Sequence, residues 1–263
     1  MLSCAVRIPA PSHQDWYAPL SRTNRLKSIE LEADCLTETA TQEALTHHGL
    51  SCLCAQDVLP PETIAFLTEH PNERDFLSIQ DAIFNAMLCA ESADARVFPL
   101  DFRLDRLPRQ PDKRLVVPCA ELLMRLLEAP LETPFSLAVQ VRQPAPFPTS
   151  LEMRRAQAIC RQSGSSRVGL YVHFHADDFH AAGGSIAAFV DDYAERLKAI
   201  CFHYDVTQAE TLYDDEQAEW AQRLLDAHSD ALVIFAPKTH GSEGLDRICR
   251  QALSWADYYH PTL

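Results

Sequence analysis

The chain has 263 residues, of which 47% are hydrophobic and 23% are charged, an ordinary composition for a globular protein with a sizeable core. It carries 37 acidic against 23 basic residues, and its formal net charge of -14 at pH 7 argues against general binding to nucleic acid or to anionic membranes. No stretch is apolar and long enough to predict a transmembrane helix. The nine cysteines are scattered and no secretory signal is evident, so we expect reduced thiols and a cytoplasmic protein.

Short β-rich runs alternate with longer helical patterns along the whole chain. The predicted strands are Ser3 to Ile8, Ser28 to Ala33, Leu50 to Ala55, Arg96 to Phe102, Phe135 to Val141, Arg167 to His173, Ile200 to Asp205 and Ala231 to Ala236. Such alternation predicts a parallel sheet, and eight β-α units predict a closed barrel. Because nothing marks a second domain, we predict one α/β domain over residues 1–263, a (β/α)8 TIM barrel.

Local signals mark several helix ends. Gly49 closes the helix before the third strand, and Gly164 lies just beyond the helix that runs through Ile159. Thr149 with Glu152 has the spacing of a capping box at the start of that helix.

The predicted strand ends are unusually polar. In a (β/α)8 barrel the functional side chains come from the C-terminal ends of the strands and from the loops that follow. The polar side chains there include Arg7, Glu30, Glu32, Asp101, Gln140, Arg142, His173, His175, His203, Asp205 and Lys238. Residues two apart on a strand face the same side, so we expect this set to converge on one mouth of the barrel.

Three histidines on consecutive strands stand out in this set. His173, His175 and His203 could bind a divalent metal, with three imidazoles and a water forming a zinc shell, or could serve as acid and base near neutral pH. The alternative is that any one of these polar residues only solvates a strand end and hydrogen-bonds neighbouring backbone.

The layout resembles the xylose-isomerase-like barrel superfamily, which includes sugar isomerases, sugar epimerases and repair enzymes of the endonuclease IV type. The segments that carry the resemblance are Ser-Ile-Glu-Leu-Glu-Ala-Asp (28–34), Val-Gly-Leu-Tyr-Val-His-Phe-His (168–175) and Cys-Phe-His-Tyr-Asp (201–205). The resemblance implies a divalent metal such as Mn, Mg, Co or Zn, held by a Glu, an Asp, a His and a Glu at the ends of strands five to eight.

This chain matches that ligand pattern only in part. His203 fits the strand-seven histidine, and the strand-six position falls at Val172 or His173, but strand five offers Gln140 and strand eight has no carboxylate before Lys238. An amide cannot act as a proton-transfer base, so the usual mechanism with two glutamates is not available. The ammonium of Lys238 could instead stand where the metal normally sits.

These observations lead to three hypotheses. The first is a sugar isomerase or epimerase acting on a small polyhydroxylated, carbohydrate-like substrate at the barrel mouth. Its candidate acid/base or ligand residues are His173, His175, His203 and Asp205, with His173 and His203 as the metal candidates. Its candidate substrate-binding residues are Arg7, Glu32, Asp101, Gln140 and Arg142.

The second hypothesis is a degenerate barrel that binds or senses a small molecule without metal chemistry. The third is metal-independent lyase or isomerase chemistry with Lys238 as a base or imine-forming amine. We set aside the endonuclease branch, because neither the ligand set nor the net charge suits it, and expect no nucleic-acid or membrane partner. The oligomeric state is left open.

Overall fold

The computed structural model describes residues 3–8, 16–21, 26–60, 63, 67, 73–104, 113–142, 150–175, 185–204, 215–227, 229–237 and 242–259. Within them, parallel strands close into an eight-stranded barrel in chain order, and the last strand pairs with the first. The strands are β1 (Ser3–Arg7), β2 (Ser28–Glu32), β3 (Ser51–Gln56), β4 (Val97–Leu100), β5 (Ser136–Val141), β6 (Val168–His175), β7 (Leu197–Tyr204) and β8 (Leu232–Pro237). The predicted barrel is confirmed.

The helices follow the strands on the outside of the barrel. They are α1 (Ala18–Ser21), α2 (Thr39–His48), α3 (Glu73–Glu91), α4 (Lys113–Leu126), α5 (Leu151–Ser163), α6 (Ile186–Tyr193), α7 (Asp215–Asp226) and α8 (Ser242–Tyr259), with short 3-10 turns at Ala33–Thr37 and Ala194–Arg196. None of the described helices combines the length and the apolarity that a membrane span requires.

Strand alternation separates two layers of core. Val139, Val141, Val172 and Phe202 point outward and pack in the large cluster between strands and helices. The smaller cluster fills the barrel itself and consists of Ala5, Cys54, Ala138, Tyr171, Ala199, Cys201, Leu232, Ile234 and Ala236. The side chains of this cluster fill the N-terminal and middle parts of the barrel interior. The next inward-facing positions, towards the C-terminal ends of the strands, carry the polar residues of the site.

Two glycines end helices as predicted. Gly49 and Gly164 follow α2 and α5 with φ of 60° and 65°, in the left-handed region that glycine adopts without strain.

The predicted capping box is wrong in its N-cap residue, which is Ser150 rather than Thr149. The side chain of Ser150 caps α5 and accepts from the backbone N–H of Met153 at 3.4 Å, while Thr149 lies outside the described residues. Glu152 is buried, and its Oε1 accepts the backbone N–H of Arg142 at 2.8 Å. The carboxylate therefore satisfies an amide at the end of β5, which fixes the start of the loop that carries Arg142.

A glycine permits the close approach of β6 to β7. A Cβ atom at Gly169 would lie 2.2 Å from the carbonyl oxygen of Arg196, the residue just before β7. Farther along the pair, the register sets His173 opposite Cys201 and His175 opposite His203. This register makes the four side chains neighbours at the strand ends.

Candidate functional site

Histidine and cysteine side chains from β6 and β7 meet inside the C-terminal end of the barrel. His173 Nδ1 lies 2.8 Å from His203 Nε2, and Cys201 Sγ lies 3.5 Å from the same Nε2 atom. The three potential ligand atoms all lie within 4.8 Å of one another. Imidazole nitrogens and cysteine thiolates are common protein ligands of zinc.

The predicted three histidines do come together, but the tight group of donor atoms contains Cys201 in place of His175. The half-buried ring of His175 stacks on that of His203, with the ring centroids 4.3 Å apart. Cys201 was missed by the sequence analysis, although the signal was present. It stands two residues before His203 on the same strand and therefore faces the same side.

Gln140 adjoins this group from β5. Its Nε2 lies 3.0 Å from His173 Nε2, and its buried Oε1 has no hydrogen-bond partner among the described residues. Burial lowers the pKa of His173 well below its usual value, and the positive charge of Arg7 lowers it further. His173 is therefore neutral, which is the protonation state that a metal ligand requires.

A second polar network lies beside the histidines and is centred on Glu30. Its Oε2 accepts from Arg7 Nε at 2.5 Å, and its Oε1 accepts from the Tyr171 hydroxyl at 2.6 Å, from Gln56 Nε2 at 2.8 Å and from the Cys54 thiol at 3.2 Å. Arg7 Nη2 also donates to the Tyr171 oxygen at 2.5 Å. Glu30 is fully buried, so this network neutralises a carboxylate inside the barrel and holds Arg7 in one orientation.

The ends of β3, β4 and β5 contribute the charged rim of the mouth. Arg142 Nη2 lies 2.5 Å from Asp101 Oδ2, and Asp101 Oδ1 accepts the backbone N–H of Arg103 at 2.9 Å. Asp57 follows β3 with a positive φ of 55°. The side chain of Asp57 is exposed, but partial desolvation by the surrounding protein raises its pKa. The positive charge of Arg142 opposes this shift, and the negative charge of Asp101 adds to it.

The remaining predicted site residues fall into two groups. Glu32 is exposed at the end of β2, on the side that alternation shares with Glu30, so a role in substrate binding stays a prediction. Asp205 and Lys238 lie outside the described residues, and their predicted roles also remain predictions. On β8, the inward residue at this level is the buried Ala236, so this strand supplies no carboxylate there.

No family model and no curated protein matches the chain. Several solved structures match it over nearly its whole length. 3-Keto-D-glucoside 4-epimerase from E. coli shares 11% identity, with 98% of this chain and 100% of that chain covered and a TM-score of 0.68. An AP endonuclease of family 2 from Brucella melitensis shares 13% identity, with coverage of 98% and 99% and a TM-score of 0.65.

A third similar structure is an IolI protein with a bound zinc atom, at 10% identity, with 99% of this chain and 100% of that chain covered and a TM-score of 0.63. The fold is the xylose-isomerase-like TIM barrel. This fold carries an epimerase as well as an endonuclease, so the chemistry of this xylose-isomerase-like barrel has to be argued from its own site.

Proposed function

We propose that this protein is a sugar isomerase or epimerase that acts on a small polyhydroxylated carbonyl compound at the C-terminal mouth of the barrel. The observation that carries the proposal is the convergence of Gln140, His173 and His203 at the ends of β5, β6 and β7. Active sites of (β/α)8 enzymes are built at this end of the barrel. The similarity in fold to a sugar epimerase supports the same reading.

The two histidines fit a divalent metal. Their nitrogens lie 2.8 Å apart inside the barrel, and His173 is held neutral by its surroundings. If Nδ1 of His173 is the ligand atom, its Nε2 carries the proton and faces Gln140. A flip of the Gln140 side-chain amide would then let this Nε2–H donate to Oε1, the buried oxygen that has no partner among the described residues. A bound metal would supply Lewis-acid polarisation of the substrate carbonyl.

Charged side chains of the mouth suit a substrate rich in hydroxyl groups. Arg142 is half exposed while its partner Asp101 is almost buried, so the ion pair presents guanidinium donors and a carboxylate acceptor towards the mouth. Arg7 is fixed by Glu30 and Tyr171, and 18% of its side chain remains exposed. We assign orientation of the substrate hydroxyls to Arg7, Asp101 and Arg142.

Proton transfer must use groups other than the two glutamates that the resemblance implies at the ends of strands five and eight, because this chain has neither. Glu30 cannot serve, because it is fully buried and its oxygens already accept from four donors. We assign the step to Asp57 and His175. In a closed eight-stranded barrel β3 lies across from β7, where the ring of His175 stacks on that of His203, so Asp57 and His175 approach the substrate from different sides. The raised pKa of Asp57 brings the carboxylate closer to the range in which it exchanges protons efficiently.

Exchange of hydrogen with solvent tests the proposed reaction. The purified protein, supplied with Zn²⁺, Mn²⁺ or Co²⁺, is incubated with D-fructose, D-tagatose or D-psicose in D₂O and followed by NMR. We expect deuterium at the carbon beside the carbonyl of at least one ketose, together with a new isomer or epimer. His203→Ala is expected to slow the exchange by at least ~100-fold, whereas His47→Ala, at the exposed end of α2, should leave it unchanged. Absence of exchange from every sugar and metal would contradict the proposal.

A second candidate is ligand binding without turnover. Gln140 and Ala236 favour it, because neither strand five nor strand eight presents a proton-transfer base inside the barrel. It predicts saturable heat of binding for one of the same ketoses in calorimetry without deuterium exchange. The third reading, which uses Lys238 as a base or amine, stays a prediction because that residue lies outside the described part of the chain.

A further inference from the structure

We propose that Cys201 is a metal ligand as a thiolate, and that the site formed by His173, Cys201 and His203 selects zinc over magnesium and manganese. This inference rests on the metal-binding part of the proposed function and goes beyond it by naming the third ligand and the metal. The sequence pattern pointed only to histidines and carboxylates.

The first support is geometric. Tetrahedral zinc with Zn–N bonds of about 2.0 Å and Zn–S bonds of about 2.3 Å separates its nitrogen and sulfur ligands by ~3.5 Å and its two nitrogens by ~3.3 Å. Cys201 Sγ already lies 3.5 Å from His203 Nε2, and the two histidine nitrogens lie 2.8 Å apart. The nitrogens would separate by about half an ångström to admit the ion, a change within reach of side-chain rotation.

The second support is the chemistry of the donors. Among the described residues, the cluster contains two imidazoles and a thiol and no carboxylate oxygen. Magnesium and manganese prefer hard oxygen ligands, while thiolate and imidazole favour zinc. Three protein ligands leave a fourth position of the tetrahedron open, which is the arrangement of catalytic rather than structural zinc sites.

The binding step balances in protons and electrons. Zinc would form a bond to the Cys201 sulfur and release the thiol proton to solvent, with no change in oxidation state and no further reactant.

A second buried thiol provides a matched control. Cys54 also faces the interior of the barrel, but its Sγ lies 3.2 Å from a Glu30 oxygen and is not part of the histidine cluster. Both cysteines have a pKa raised by burial, so they differ in their neighbours rather than in their exposure.

Cobalt serves as the spectroscopic probe for zinc. Metal-free wild-type protein, Cys201→Ser and Cys54→Ser are titrated with Co²⁺, and the near-ultraviolet band of thiolate-to-cobalt charge transfer is recorded. We expect the band in the wild type and in Cys54→Ser and its loss in Cys201→Ser. Zinc affinity, measured against a competing chelator, should fall by more than ~100-fold in Cys201→Ser, because a direct ligand matters more than the outer partners whose loss costs 10–100-fold.

The outcomes separate this inference from the proposed reaction. Cobalt bound without the charge-transfer band, or a band that persists in Cys201→Ser, would overturn the role of Cys201 and leave a metal on the histidines intact. No binding of Co²⁺ or Zn²⁺ by the wild type would overturn both the inference and the proposed metal. The band together with an absence of deuterium exchange would support the inference and count against the isomerase.

Discussion

Glu30→Gln is expected to lower the free energy of unfolding by about 3–5 kcal/mol, the cost of removing one partner of a buried ion pair. Glu30 is fully buried and receives hydrogen bonds from Arg7, Tyr171, Gln56 and Cys54. The neutral amide would leave the guanidinium of Arg7 mostly buried without its counter-charge and would place an NH₂ group among donors. Urea unfolding at pH 7 measures the change as a lower transition midpoint at an unchanged slope.

Glu32→Gln is the matched control, because it makes the same chemical change on the same strand at an exposed position. Its effect should stay within about 0.5 kcal/mol. Equal and small losses in the two variants would contradict the account of Glu30 as the buried partner that holds Arg7 in place.

Gln140→Glu is expected to tighten zinc binding by about 10–100-fold, because a carboxylate beside a ligating histidine increases its basicity and fixes its orientation. The side chain of Gln140 lies 3.0 Å from His173 Nε2, on the ring edge that faces away from His203. The same variant should be less stable without metal, since it buries a carboxylate that the ion would otherwise balance. Competition with a chromophoric chelator measures the zinc affinity, and thermal unfolding with and without zinc measures the loss of stability in the metal-free variant.

Gln56→Glu is the control for this substitution. Gln56 is the other buried glutamine of the site, but it hydrogen-bonds Glu30 and Tyr171 rather than a histidine. It should lose stability without any gain in zinc affinity. Zinc affinity that is unchanged or weaker in Gln140→Glu would show that Gln140 does not support a metal-binding histidine.

The fold was predictable because each strand of a parallel barrel repeats the same physical pattern. Strand alternation on β6 and β7 correctly placed His173 with His203 inside the barrel. The predicted start of the seventh strand was wrong, because β7 begins at Leu197 rather than at Ile200. The charged Lys198 interrupts the apolar run that identified the strand, so the prediction began after it.

The inner polar network was harder to predict, because depth within a barrel depends on strand tilt and stagger. Glu30 and Glu32 face the same side of β2, yet Glu30 is fully buried and Glu32 is exposed. Cys201 has no neighbouring cysteine at a metal-binding spacing, so its one signal in the sequence is that it stands two residues before His203 on the same strand. The capping pattern of Thr149 and Glu152 did not reveal that Ser150 is the N-cap of α5 or that Glu152 accepts the backbone N–H of Arg142.

Elemental analysis for zinc tests the central claim, that the C-terminal end of this barrel holds a metal on His173 and His203. Wild-type protein, His203→Ala and the control His47→Ala are exchanged into excess ZnCl₂, freed of unbound metal and analysed. We predict about one zinc per chain in the wild type and in His47→Ala, as expected for a single site, and none in His203→Ala. Metal-free wild type, or zinc retained in full by His203→Ala, would contradict the claim.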